Sequence, residues 1–310
     1  MIYALMILFI ILGLYFLTFY YFKQVVIRKL QNEDEMFNNQ IKRNLIDIDY
    51  YENLHKEKVN IKSKEGLILR GIFIDNGSKN TIIFCHGITV GLICSLKYIR
   101  IFEKRGWNIL LYDHRRHGQS QGKYSTYGYL EKEDLDLWVN WIIDKKGKSS
   151  IIGLHGESMG AATVLQYSDI NKYVKFIISD CAFSDLKELL LIRIKEDYSI
   201  ILYPVLCLVL HLSNILARIK AKFNYNWIKP IESVKRSTIP IMFIHGNKDY
   251  FVPWHMSISM YNAKTRGIKR LYIVDGAAHA RAIEVDKERY EKETMSFLEE
   301  VLGVKKEEKI

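Results

Sequence analysis

The chain alternates between two hydrophobic periods, and their order predicts the architecture. Lys58-Val59-Asn60-Ile61-Lys62 alternates polar and apolar as a half-buried strand does, Glu65-Gly66 reads as a turn, and Leu67–Ile74 alternates again, predicting a hairpin. Beyond it the pattern changes to short apolar runs of the buried parallel-strand type: Thr81–Cys85, Trp107–Tyr112, Ser150–Leu154, Lys175–Ser179, Ile239–Ile244 and Arg270–Val274. Helical periodicity follows at roughly 92–105, 130–145, 159–169, 254–265 and 282–302. Strands separated by helices of this length imply a mostly parallel sheet covered on both faces, hence an α/β fold.

Two stretches break that rhythm. Ile2–Phe22 is a run of 21 residues with no charged side chain, long enough as a helix to cross roughly 30 Å of hydrocarbon. It has no basic stretch before it, and its far end is bulky and aromatic, which suits a retained anchor better than a cleaved signal. Lys23, Arg28 and Lys29 follow it, a margin of three residues that favours the cytoplasmic side for the domain beyond. The second break is an insertion at about 184–237, between two strand segments, which holds the apolar run Ile200–Leu212 with Pro204 inside. Thirteen residues are too few to span a bilayer, so a buried helix or a lid over a pocket is expected, with Leu206 and Leu210 lining that pocket. The expected organisation is therefore an anchor at 1–22, a juxtamembrane helix and connector at 23–55, one α/β domain at 56–302 and a charged tail at 303–310.

Composition narrows the possible partners. The net charge is +10, but Lys and Arg are interspersed with acids, as in Glu131-Lys132-Glu133-Asp134, and no basic stripe interleaved with aromatics appears. Nucleic acid is not expected as a partner; a lipid bilayer is, and nothing sets the oligomeric state. Cys85, Cys94, Cys181 and Cys207 form no C-x-x-C pair and no metal-ligand spacing with histidine, so buried reduced thiols are expected. No H-E-x-x-H, Walker loop or dinucleotide fingerprint is present, and no metal or cofactor is expected.

The chemistry sits at the ends of strands. Gly156-Glu157-Ser158-Met159-Gly160 is a G-x-S-x-G motif between the strand Ser150–Leu154 and a helical segment, the setting a nucleophile elbow requires. Ser158 is the candidate nucleophile. An oxyanion hole needs one N–H after the serine and one from the loop after an earlier strand, which points to the amides of Met159 and of Ile88, beyond His86-Gly87. Asp249 follows the strand Ile241–Ile244 and His279 follows the last strand, giving the order Ser, acid, His. His279 would take the serine proton, and Asp249 would hold the imidazole's tautomer. Asp180 and Asp185 compete for the acid's role, since both follow the strand after the nucleophile helix; the order favours Asp249.

With these residues, and with Asp113-His114-Arg115-Arg116-His117-Gly118-Gln119-Ser120, the chain resembles the α/β-hydrolase superfamily over about 57–302, in particular bacterial membrane-anchored hydrolases of the serine-aminopeptidase-like and lipase-like groups. The last stretch is similar to the family's D-x-R-G-H-G-x-S, with Arg116 where glycine commonly stands. The resemblance implies hydrolysis of an ester, thioester or amide without a metal or organic cofactor. A lipophilic acyl ester or thioester is the expected substrate; a peptidase of the same fold and a binding module without turnover are the rivals.

Overall fold

The computed structural model describes residues 1–303, so the expected tail lies outside the described residues beyond Gly303. Eight strands form one sheet: β1 (Glu57–Lys62), β2 (Ile68–Ile74), β3 (Asn80–Cys85), β4 (Asn108–Tyr112), β5 (Ile151–Glu157), β6 (Val174–Asp180), β7 (Ile241–Gly246) and β8 (Lys269–Val274). Their spatial order is β1-β2-β4-β3-β5-β6-β7-β8. β1 and β2 pair antiparallel, β2 pairs antiparallel with β4, and the other pairings are parallel. The expected α/β-hydrolase architecture is present, with the hairpin leading into a parallel sheet.

Twelve α-helices run in chain order among the described residues: α1 (Ile2–Val26), α2 (Glu33–Lys42), α3 (Ile48–Asn53), α4 (Leu96–Glu103), α5 (Glu131–Lys146), α6 (Met159–Tyr167), α7 (Leu186–Asp197), α8 (Tyr203–Lys220), α9 (Pro230–Arg236), α10 (His255–Ala263), α11 (Ala282–Val285) and α12 (Lys287–Leu302). Local chemistry sets several of their ends. Acids Glu131, Glu133 and Asp134 open α5 and Lys145 and Lys146 close it, complementing the helix dipole. Gly303 ends α12 in the left-handed conformation at φ 67°.

The strands' period of two divides the core into layers. Ile82, Phe84, Ile109, Leu111 and Ile178 face Tyr98, Phe102 and Phe297 on one side of the sheet. Ile83, Leu110, Leu154, Ile177 and Phe243 face Trp138 and Leu165 on the other. A third apolar cluster joins Met159 and Phe183, which follow β5 and β6, to α7, α8 and the last turns of α1.

That third cluster corrects the expected domain organisation. α1 continues past residue 22 to Val26, and Thr18, Phe22, Val25 and Val26 are buried. Its terminal carbonyls are held by the domain: Tyr127 Oη donates to Val25 O at 2.8 Å and Ser125 N to Val26 O at 3.1 Å. The connector is not separate either. Asn32 caps α2, accepting from Asp34 N at 2.8 Å, and Met36 and Ile46 enter the main core. Only the first half of α1, through Gly13, is exposed on every side.

The insertion also differs from expectation. Its apolar run is not a 13-residue segment interrupted by proline. Ile200–Leu202 is a 3₁₀ turn leading directly into α8, and Pro204 occupies the first helical turn, where no N–H is needed. Leu206 and Leu210 belong to the cluster with Phe22, Val25 and Val26.

Burial of Phe22 leads to a direct test. Phe22→Ala in the full chain, solubilised in detergent, is expected to lower the unfolding free energy by about 3–5 kcal/mol, the usual cost of a large aromatic cavity. Phe9→Ala, on the exposed half of α1, should stay within about 0.5 kcal/mol. Denaturant unfolding of both variants checks the contrast, and equal small effects would mean that α1 is a mere tether.

Candidate active site

Two close approaches shape the elbow. A Cβ on Gly156 would lie 2.4 Å from Gly160 O, and one on Gly160 would lie 2.0 Å from Cys85 O. Only glycine permits this packing of α6 against β5 and β3. Between them Ser158 takes φ 54°, ψ −114°, a strained conformation for a residue with a side chain. Its amide donates to Asp180 O at 2.8 Å, which fixes the turn.

Ser158, Asp249 and His279 meet, although they lie on three separate loops. Ser158 Oγ is 2.9 Å from His279 Nε2, and His279 Nδ1 is 2.6 Å from Asp249 Oδ2. An ionised carboxylate only accepts, so Nδ1 carries the proton and Nε2 is free to accept from the serine hydroxyl. Asp249 is buried, yet four donors reach it. Phe251 N and Val252 N donate to Oδ1 at 2.9 and 2.8 Å, and His245 Nε2 lies 3.0 Å from Oδ2. Burial pushes its pKa up, but the hydrogen bonds and charges of His245 and His279 outweigh that and hold it well below the usual carboxylate range. Ser257 Oγ, 2.7 Å from His245 Nδ1, completes the chain.

The competing acids are engaged elsewhere. Asp180 is fully buried, accepts from Tyr98 Oη at 3.2 Å and Tyr290 Oη at 3.1 Å, and has its pKa pushed up to about 6, chiefly by burial and then by Glu157. Asp185 caps α7, accepting from Glu188 N at 3.1 Å. Cys181 Sγ lies within 4.8 Å of ligand atoms of Asp249 and His279, and burial raises its pKa well above that of a free thiol, so it stands as a neutral neighbour of the pair. Cys85, Cys94 and Cys181 are buried free thiols, while Cys207 is half-buried and free.

Ile88 and Met159 both line the cavity that holds Ser158, and neither amide has a backbone acceptor among the described residues. The turn presenting Ile88 is held by neutral histidines. His86 Nε2 accepts from His114 N at 2.9 Å, so its Nδ1 donates to Gly87 O at 2.7 Å, and burial lowers its pKa to about 4. His117 Nε2 accepts from Thr89 N at 3.2 Å. The Asp113–Ser120 stretch thus braces this turn. Arg116, standing where the related motif has glycine, takes φ 72°; its guanidinium donates to Arg28 O at 2.7 Å, tying the end of α1 to the brace.

The cavity beside Ser158 is about 220 Å³, and its walls correct the expected pocket. Leu206 and Leu210 do not line it. Leu210 borders a different cavity with Cys207 and Tyr225, because α8 turns these leucines toward α1. The lining comes instead from the insertion's first helix, α7, through Leu186, Leu189, Leu190 and Ile194, and from Tyr20, Tyr21 and Val25 of α1. Sequence reasoning missed both contributions. The signal available for α1 was the aromatic end of its apolar run, read as an interfacial belt. Arg28 also reaches the cavity, its guanidinium 5.7 Å from the Phe251 ring, which packs edge-on to His279 at 5.1 Å.

Comparison with known proteins agrees with the fold. A family model described as "alpha/beta hydrolase fold" matches residues 80–200. The protein YqkD of Bacillus subtilis is 34% identical over 80% of this chain and 81% of its own length. The Pyrococcus furiosus esterase Pf2001 superposes with a TM-score of 0.66 at 26% identity, covering 81% of this chain and 94% of the esterase. An acylaminoacyl peptidase of Pyrococcus horikoshii shares the fold, with a TM-score of 0.59 at 18% identity over 84% of this chain and 44% of the peptidase. The chain belongs to the α/β-hydrolase family. It is a hydrolase.

A buried ion pair stands under the site and was not foreseen. Lys97 Nζ lies 2.6 Å from Glu157 Oε2, next to Ser158, and donates to Ala280 O at 2.8 Å, next to His279. Removing one partner leaves a buried charge unpaired, so Lys97→Met is expected to cost about 3–5 kcal/mol of stability. Arg100→Ala, which breaks the exposed pair with Asp47, should cost no more than about 1 kcal/mol. Urea unfolding of the two variants measures the ranking, and equal costs would remove the pair from the account of the site's stability.

Proposed function

We propose that this protein is a serine hydrolase that cleaves a lipophilic acyl ester or thioester. The observation that carries the reading is the unbroken line from Ser158 Oγ through His279 to the deeply stabilised Asp249 carboxylate. In the first step His279 Nε2 takes the serine proton as Oγ attacks the acyl carbonyl. The oxygen of the tetrahedral intermediate is met by the amides of Ile88 and Met159, with the N-terminus of α6 adding its partial positive charge. The imidazolium, held against Asp249, returns its proton to the leaving alcohol or thiol as the carbon–heteroatom bond breaks, leaving an acyl-serine. Water, deprotonated by His279, then attacks the acyl carbon, and the released Ser158 regains a proton as the free acid departs.

The cavity's apolar wall supports a lipophilic substrate. Leu186, Leu189, Leu190, Ile194 and Val25 offer an apolar wall suited to an acyl chain, where each buried methylene contributes roughly 0.8 kcal/mol. A peptidase that anchors a free α-amino group needs an unengaged acid; the cavity's Asp197 is paired with Arg193 at 2.6 Å, and Arg28 adds a cation. A non-catalytic module has no use for a strained serine aligned with a hydrogen-bonded histidine–aspartate pair. The uncharged length of α1 supports residence at a lipid bilayer, with Lys23, Arg28 and Lys29 favouring a cytoplasmic catalytic domain.

Fluorophosphonate labelling and turnover of chromogenic esters test this reading. Ser158→Ala should abolish labelling and ester turnover while leaving the unfolding midpoint unchanged. Asp249→Asn should lower kcat by about 10⁴, as loss of the tautomer-holding acid does in such triads, whereas Asp180→Asn should cost far less. Turnover surviving in the serine variant, or the reverse ranking of the two aspartates, would displace the assignment.

A further inference from the structure

From Ser199 to Ala217 the chain contains no Asp, Glu, Lys or Arg. One face of this segment is accounted for, since Leu206 and Leu210 bury themselves with Phe22, Val25 and Val26 of α1. The opposite face is not. Ile201 is 83% exposed, Leu202 48% and Leu208 46%, and Ile200 and Val205 are exposed beside them. A surface helix with one apolar stripe would present polar residues here. Contiguous exposed apolar side chains of this kind mark a contact with a partner or a membrane.

The position of the patch identifies the partner. The cavity beside Ser158 is bordered by Tyr20 of α1 and by Tyr198, two residues before Ile200. The patch therefore begins two residues from the cavity's lining and runs onto α8, and α1, which packs along α8, carries exposed apolar residues of its own, Phe16 and Leu17 among them. Arg218, Lys220 and Lys222 follow the apolar segment, as Lys23 and Arg28 follow that of α1. Such cations reach for anionic headgroups while their stems stay in apolar surroundings.

We infer that the 3₁₀ turn Ile200–Leu202 and the outer face of α8 enter the same lipid leaflet as α1, so that the mouth of the Ser158 cavity opens at the lipid surface and an acyl substrate enters from the bilayer. This rests on the bilayer and hydrolase readings above. In this arrangement α8 is a second membrane element, interfacial in character, held to the first by side-chain packing.

The test uses the full chain, with Cys207→Ser, reconstituted in vesicles of phosphatidylcholine and phosphatidylglycerol. A fluorophore is placed singly through Phe9→Cys, Ile201→Cys, Leu208→Cys or, as a remote exposed control, Val285→Cys. Nitroxide groups on the lipid acyl chains should quench the label at 9, 201 and 208 by more than half and leave 285 bright. In the same vesicles Ile201→Asp combined with Leu208→Asp should cut hydrolysis of a long-chain ester about tenfold and leave a water-soluble acetyl ester within about twofold. A label at 9 quenched while those at 201 and 208 stay bright and open to iodide would overturn the inference and leave the anchor standing. Labels at 201 and 208 shielded from both iodide and lipid nitroxide would mean that a second copy covers the face, which also overturns it. A bright label at 9 would refute the anchor reading instead. Absence of all ester turnover with quenching intact would refute only the serine-hydrolase reading.

Discussion

The contact between Gly160 and the end of β3 governs the site. Any Cβ at 160 would collide with the carbonyl oxygens of Cys85 and His86, at 2.0 and 2.6 Å. That approach brings the first turn of α6 against the loop carrying Ile88, so Ile88 and Met159, from distant parts of the chain, line one cavity. It also forces the turn that leaves Ser158 at positive φ, with its hydroxyl at the carboxyl edge of the sheet. His279 and Asp249 reach the same edge because β7 and β8 run parallel to β5. The strain at Ser158 is offset by what surrounds it, including the bond from its own amide to Asp180 O.

Around that contact the polar groups are divided between two functions. Asp249, with two histidines and two backbone amides, is kept ionised and aimed at His279. Asp180, with two tyrosine hydroxyls and Glu157 close by, is pushed the other way. The carboxyl groups of two aspartates at the ends of adjacent strands are thus shifted in opposite directions, because one accepts from two imidazoles and two amides while the other is fully buried beside an acid. Lys97 links the second network to the backbone beside His279, so the floor of the site and its histidine loop share one buried ion pair.

The first helix shows how a segment can serve two surroundings. Its first half is apolar on every face, and its second half supplies core residues and the rim of the cavity. Arg116 is the clearest trace of this coupling. A left-handed position that glycine would occupy more easily is filled by a side chain whose guanidinium holds Arg28 O. The order-of-magnitude cost of such a conformation is about 1–3 kcal/mol, and the contact at the end of α1 is what it supports.

How much of this was legible in the sequence depends on the range of each interaction. The strands, the hairpin, the elbow and the Ser–Asp–His order could be read because period-two alternation, glycine spacing and chain order are local or sequential properties. Ile88 and Met159 could likewise be named from the motif that precedes each, and both line the cavity beside Ser158. The pocket could not be read. Leu206 and Leu210 were as apolar as a pocket lining should be, but hydrophobicity has no direction, and which neighbour covers them was decided when α1 packed along α8. Likewise the apolar run at the N-terminus announced a bilayer-length helix but not that Phe22 and Val25 would be core and Tyr20 and Tyr21 the rim of a cavity. His245 and Lys97 were single polar letters until three-dimensional packing set them against Asp249 and Glu157. The sequence alone determined which residues could do chemistry and in what order they occur. Only the tertiary structure decided which apolar surfaces meet, because burial is a property of pairs of faces and those faces lie far apart along the chain.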